Sequence, residues 1–287
     1  MLKMNFLKKH GRKLTQVVTA VLYNCHFVGF AEGKIYKGNG KNVCVPGLNC
    51  YSCPGAVGAC PMGSLQSALV SSKYSIPYYV LGLMLLMGVL FGRFVCGFLC
   101  PFGLLQELLY KLPGRKIQKN RVTRILSYGK YVVLIVLAVI LPIGLKLPGF
   151  CKYICPVGTL EGGVLLGIMN RSVREMLGKL FTWKVVVLIV ILVSAVFCYR
   201  SFCRFLCPLG AFYSFFNRFS LVRMVVDEKK CSHCGACGRA CKMDIAQVGD
   251  RECIQCGECR EVCSACAISR IPDGRGSRKE SKNDYEK

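Results

Sequence analysis

The sequence predicts an α-helical membrane protein of four spans, built as two internal repeats of two helices with Cys-Pro motifs, followed by a small α+β domain. Three observations predict it. The 287 residues are 53% hydrophobic and only 19% charged, with a mean hydropathy of +0.41, a balance that suits helices in lipid better than a soluble domain. Four Cys-Pro-x-Gly motifs recur along the chain. Near the C-terminus, eight cysteines fall into two copies of one spacing.

The spans come first. Apolar runs cover Leu14–Phe30, Ile76–Val95, Ile125–Leu147 and Trp183–Tyr199, each with roughly the 17–25 residues that cross a ~30 Å hydrocarbon core. The first is read as a retained span because the repeat needs a helix there; a cleaved signal peptide ending at Gly29 and Ala31 is the other reading. Pro156–Asn170 is apolar but short, with Glu161 inside, and reads as a re-entrant or interfacial piece. Lys130 and Lys184 near span starts, and Arg93 near a span end, are expected to snorkel to the headgroups.

Charge sets the orientation. The net charge is +24, and the basic residues gather between apolar runs, which points to helix flanks rather than to nucleic acid. Residues 1–13 hold Lys3, Lys8, Lys9, Arg12 and Lys13 with no acid, and the loop Lys111–Arg124 holds six basic residues with none. Ala31–Ser75 and Pro148–Thr182 hold four basic residues each, diluted by acids. The N-terminus, Lys111–Arg124 and the C-terminus are therefore expected in the cytoplasm, with the protein multi-pass in the cytoplasmic membrane.

The Cys-Pro-x-Gly motifs reveal the repeat. They are Cys60-Pro-Met-Gly, Cys100-Pro-Phe-Gly, Cys155-Pro-Val-Gly and Cys207-Pro-Leu-Gly, three of them with a further cysteine four residues earlier: Cys96, Cys151 and Cys203. The fourth has Ala56 at that place, with Cys50 and Cys53 upstream. The halves are about 14–112 and 125–222. Cys-x3-Cys sets two sulfurs on one side of a helical turn, Pro starts the next helix, and Gly lets the backbone bend. Two such turns give four thiolates. At the inner face these are Cys96, Cys100, Cys203 and Cys207, which suit one iron–sulfur cluster. Among the outer Cys44, Cys50, Cys53, Cys60, Cys151 and Cys155, the expected cluster ligands are Cys53, Cys60, Cys151 and Cys155; disulfides are the other reading.

The C-terminal run reads CSHCGACGRAC, eleven residues, then CIQCGECREVC, or C-x2-C-x2-C-x3-C twice. Such loops wrap a cubane of iron and sulfide; two zinc ribbons are the competing reading. The stretch resembles the bacterial two-cluster ferredoxins. In that family the fourth cysteine of each run serves the other cluster, so the resemblance implies Cys231, Cys234, Cys237 and Cys263 for one [4Fe–4S] cluster and Cys253, Cys256, Cys259 and Cys241 for the second. The Pro that usually follows the fourth cysteine is replaced here by Lys242 and Ser264, which loosens the seal of each cluster edge.

With two Cys-x3-Cys-Pro motifs beside spans and a double ferredoxin after them, the chain from Leu14 to about Ile271 resembles the NapH-like and NosR-like membrane ferredoxins (polyferredoxins). The resemblance implies a four-span carrier that passes electrons between a quinol pool or cytoplasmic donor and an acceptor at or beyond the membrane. Its partners would be the lipid bilayer, a redox protein donor and acceptor, and quinone; no nucleic acid is expected. The sequence assigns no catalytic residue. It fits the electron-transfer subunit of an oxidoreductase, a quinol dehydrogenase among the readings. The alternatives are a maturation factor that reduces a metal centre or thiols outside the membrane, and a redox-sensing regulator, for which no effector domain stands in the chain. The expected organisation is a basic segment 1–13, a Cys-Pro repeat domain 14–222, a two-cluster domain 223–272 and a disordered tail 273–287. His26 is the only histidine in a span, so paired histidine ligation of haem is not expected. Cys25 and Cys198 read as small apolar fillers, and Phe212, Tyr213, Phe215, Phe216 and Phe219 as an interfacial belt before a quinone pocket. There is no P-loop or dinucleotide fingerprint.

Overall fold

A computed structural model describes residues 2–71, 77–117, 120–243, 245 and 247–271; the tail from Asp273 lies outside them. The chain is mostly helical, closed by one antiparallel pair of strands, Arg223–Val226 and Ile268–Ile271, in the register Arg223 to Ile271 and Val226 to Ile268.

Two helices are long and apolar enough to cross a membrane, Arg121–Gly144 with 24 residues and Lys179–Phe197 with 19. The other two expected spans come out shorter. Tyr78–Phe91 has 14 residues, about 21 Å of helix, and stops where Gly92 turns to φ +52°. The Leu14–Phe30 run is not one helix. A helix Leu2–Tyr23 ends there, and a second, Phe27–Glu32, starts under His26, whose side chain accepts from the Gly29 amide at 3.1 Å. A polar cap inside an apolar run has broken the helix. The helix over Gly158–Met169 is shorter still, and its first part, Gly158–Val164, is wound as a π-helix.

The helix faces divide by burial. On Lys179–Phe197, Leu188, Ile191 and Ala195 are buried, while Val186, Ile189, Val190 and Val193 are exposed. The same outward apolar face runs along Arg121–Gly144 through Val132, Ile135, Val139 and Ile143. Inside, the core gathers around the Cys-Pro motifs, with Phe102 set edge-on to Phe202 at 5.3 Å between ring centres. A smaller core of Tyr199, Met224, Met243, Ile245, Ile254 and Ile268 underlies the C-terminal cysteine loops.

Candidate metal centres

All four Cys-Pro turns are built alike. Each proline opens a helix and the cysteine before it stands at the cap position: Pro61–Ser71, Pro101–Leu109, the turn at Pro156, and Pro208–Phe216. Proline suits that first position because its missing N–H would be unpaired there anyway. The thiol takes the cap from the glycine three residues on, at 3.3 Å from Gly158 to Cys155 and 3.3 Å from Gly210 to Cys207. The N-terminal amides thus face the Cys155 and Cys207 sulfurs, a pull toward thiolate that burial opposes.

The inner quartet is brought together. Cys96, Cys100, Cys203 and Cys207 are all buried. Burial and then the neighbouring Cys203 and Cys96 push the Cys100 thiol up to about 12, and Cys207 is raised by burial and by Cys203, Cys96 and Cys100. Gln106, fully buried, donates to the Cys203 sulfur at 3.1 Å and accepts from the Phe202 amide at 3.1 Å.

Two buried arginines lace the halves across this site. Arg93 donates to the carbonyl of Cys203, and Arg200 to the carbonyl of Cys96. Each stands three residues before the first cysteine of its own motif. Arg93 and Lys130 share Glu252, while Arg200 and Arg12 share Glu107. Each group sets two cations on one carboxylate, so one positive charge per group is left beside the thiols. Arg93 and Lys130 are wholly buried; they do not reach headgroups, because Glu252 draws both inward. Tyr213 likewise leaves the expected aromatic belt: it is buried and its hydroxyl donates to the Pro46 carbonyl at 3.0 Å.

Glu252 comes from the C-terminal loops and ties them to the helices. Asn217 adds to the tie, donating to the carbonyls of Asp250 and Cys253 at 2.7 and 2.9 Å. At Gly97, a Cβ would stand 2.3 Å from the Ile254 carbonyl oxygen, so the loop of Cys253 rests directly on the turn of Cys96.

In those loops Cys241, Cys253, Cys256 and Cys259 line one small site with Tyr199, Met243 and Ile254. Burial and then Cys253, Cys256 and Cys241 push the Cys259 thiol up to about 12. The other loop repeats the backbone: φ is +53° and +69° at His233 and Gly235, against +57° and +86° at Gln255 and Gly257. Its cysteines are more open. Cys234 is exposed, Cys231, Cys237 and Cys263 are half-buried, and Cys237 and Cys263 lean on the same small core.

The outer cysteines divide differently from expectation. Cys60, Cys151 and Cys155 line a cavity of about 700 Å³, and the fourth cysteine on its wall is Cys50, not Cys53. A Cβ at Gly158 would lie 3.7 Å from both the Cys155 and the Cys50 sulfur. Cys50 is drawn in by Glu161, whose carboxylate accepts the Cys50 amide at 2.9 Å. Lys41, also on the cavity wall, holds the segment that follows by donating to the carbonyls of Tyr51 and Cys53. Cys44 is buried elsewhere and donates to the Ser64 hydroxyl at 3.4 Å. All 21 cysteines are free in this structure.

The sequence reading missed Cys50, Arg93, Arg200, Gln106, Glu107 and Glu252. One signal was available: Arg-x2-Cys-x3-Cys-Pro-x-Gly occurs twice, at Arg93 and Arg200, in the inner copies, and the position six after the Cys-Pro cysteine reads Gln66, Gln106, Glu161 and Tyr213. All four of these side chains bond to backbone of a partner segment. The donor set fits an anionic iron–sulfur cluster: four thiols, helix N-termini and surplus buried cations. Among the described residues no three His, Cys, Asp or Glu side chains stand close enough to hold one ion.

The family model described as a 4Fe-4S binding domain matches residues 73–120, 129–171 and 180–224, which hold the three Cys-x3-Cys-Pro motifs. The uncharacterized protein MJ0750 of Methanocaldococcus jannaschii is 29% identical over 195 residues, 65% of this chain and 74% of its own length. The methylamine utilization ferredoxin-type protein MauN of Paracoccus denitrificans is 31% identical over 184 residues, 62% of this chain and 58% of MauN. The regulatory protein NosR of Pseudomonas aeruginosa is 30% identical over 163 residues, 54% of this chain and 21% of NosR. The chain therefore spans little more than half of MauN and about a fifth of NosR. No solved structure matches it.

Proposed function

We propose that this chain, a ferredoxin-type 4Fe-4S protein that resembles the NapH-like and NosR-like membrane ferredoxins, is an integral membrane carrier that moves electrons from its open C-terminal loops to the inner Cys-Pro site. In this reading Cys231, Cys234, Cys237 and Cys263, and Cys253, Cys256, Cys259 and Cys241, hold two [4Fe–4S] clusters. Cys96, Cys100, Cys203 and Cys207 hold a third. When bound, each group supplies one-electron chemistry. The chain's own residues do the rest. Cys234 leaves the first loop open to a redox partner, while Tyr199, Met243 and Ile254 exclude water from the second. The Ile254–Gly97 contact brings that second loop against Cys96. Arg93, Arg200 and Gln106 stabilise negative charge on the inner sulfurs, which tunes the site toward reduction.

The observation that carries this reading is the inner quartet itself: four buried thiols from two halves of the chain, with two unmatched buried cations beside them. A quinol pool or a cytoplasmic redox protein would serve as donor, and the acceptor would stand at or beyond the membrane.

The test is iron and sulfide content with EPR on full-length, anaerobically purified protein. Cys100→Ser and Cys207→Ser, alone or together, should each remove about four irons per chain, because one cluster needs all its thiolates. The double variant should lose no more than either single one. Folded protein that keeps its iron in both single variants would remove the inner cluster from the reading.

A further inference from the structure

We propose that Cys50, Cys60, Cys151 and Cys155 hold a further [4Fe–4S] cluster, and that the tripeptide Leu48–Asn49–Cys50 links it to the inner site. The linking half of this inference rests on the inner site being an electron-carrying cluster; the outer site does not.

Geometry carries the outer site. Its four thiols share one cavity of about 700 Å³, which leaves room for a cubane among them. The pairs again come from the two halves of the chain, as at the inner site. Cys60 and Cys155 each stand directly before a helical turn that opens on proline, and the Cys155 thiol caps its turn. Two of the Cβ positions missing at glycines open onto these sulfurs: Gly158 faces Cys155 and Cys50 at 3.7 Å, and Gly63 faces Cys151 at 3.9 Å. Side chains there would take up room beside the thiols. Glu161, on the π-wound turn after Cys155, fixes Cys50 by its amide. Gln66 does the same for Cys151, accepting that amide at 3.2 Å. Cys53, the expected fourth ligand, does not line the cavity.

The link is equally specific. A Cβ at Gly47 would stand 3.3 Å from the Cα of Cys100, at the inner site. The next three residues, Leu48, Asn49 and Cys50, line the outer cavity together with Cys60. Two extended residues reach at most about 7 Å, so the two sites are held within a few residues of one another. Asn49 is fully buried and fixed by Asn24 and by the carbonyls of Tyr23 and Gly58. The step along this link is balanced: the inner cluster gives up one electron and the outer cluster takes it, with no bond made or broken.

The experiment uses full-length protein purified anaerobically in detergent, with iron, sulfide and zinc analysis and EPR after stepwise reduction. Wild type should carry about sixteen irons per chain, four for each of four sites. Cys50→Ala and Cys151→Ser should each lose about four irons, while Cys53→Ala loses none. The inner and C-terminal EPR signals should persist in Cys50→Ala, which shows the variant folded, but the broadening of the inner signal by a reduced neighbour should vanish. Iron that follows Cys53 instead of Cys50, zinc in the outer site, or about twelve irons in wild type would overturn the outer cluster. Unbroadened inner signals in wild type would overturn the link. Wild type lacking inner and C-terminal iron would instead sink the carrier function while leaving Cys50-dependent iron to be judged alone.

Discussion

Glu107 shows how single residues hold the inner site. It is almost fully buried and receives Arg12, Arg200 and the Tyr199 hydroxyl. Burial alone would push its carboxyl up, but Arg200 first, then Arg12 and Tyr199, hold it down to about 2. A carboxyl whose folded value lies below its ordinary 4.5 stabilises the fold in full above that value, and the gain is lost as the pH falls through about 2. Acid loss of iron at higher pH would therefore belong to protonation of thiolates, not to this carboxylate. Glu107→Gln should cost about 3–5 kcal/mol, because it strands two guanidiniums without their anion. Denaturant unfolding of the detergent-solubilised protein measures this, and a change below about 1 kcal/mol would mean the group is worth no more than a surface pair.

At the scale of elements, the contact between the Cys96 turn and the Cys253 loop is where the proposed electron route from the C-terminal loops would cross to the inner site. Gly97 stands where the other three Cys-Pro turns carry Val57, Lys152 and Arg204. It is the glycine that lets Ile254 approach. Gly97→Ala would press a methyl into a carbonyl, so the loop must lift. The expected outcome is full iron content with slowed reduction of the inner site by electrons entering at the C-terminal loops, read by stopped-flow absorbance. Gly82, whose Cβ position is open, is the control in helix Tyr78–Phe91: Gly82→Ala should leave the rate unchanged and stabilise the helix by about 0.5–1 kcal/mol. Equal rates in the two variants would detach the Gly97 contact from electron delivery.

For the whole molecule, two long apolar helices with outward faces of Val and Ile ask for a lipid surround. The buried cations do not count toward orientation in the same way as exposed loop charges, since Arg93 and Lys130 are drawn inward onto Glu252. The exposed basic residues of Lys111–Arg124 still favour the cytoplasm. Reporter fusions at Gly114 and at the chain end should both report cytoplasm, and one at Gly178 the exterior. Opposite sides for Gly114 and the chain end would make Gly158–Met169 a full crossing and break the four-span arrangement.

Much of this was legible in the sequence, because its signals are local. Cysteine spacing is a local pattern, so the two C-terminal loops and the three Cys-x3-Cys-Pro turns declared themselves, as did two of the four expected spans, Arg121–Gly144 and Lys179–Phe197. The proline at each helix start and the glycine three residues after each cysteine follow from caps that involve only neighbouring residues. What only the tertiary structure decided is what pairs across distance. Cys50 and Cys53 are three residues apart and alike in type; Glu161, 111 residues from Cys50 along the chain, draws in the one, while the other does not line the cavity. Arg93 and Lys130 read as headgroup anchors until Glu252, 159 and 122 residues further on, reached them. Composition cannot show such choices, because the free energy that buries a charge comes from a partner whose place is fixed only when the chain has folded.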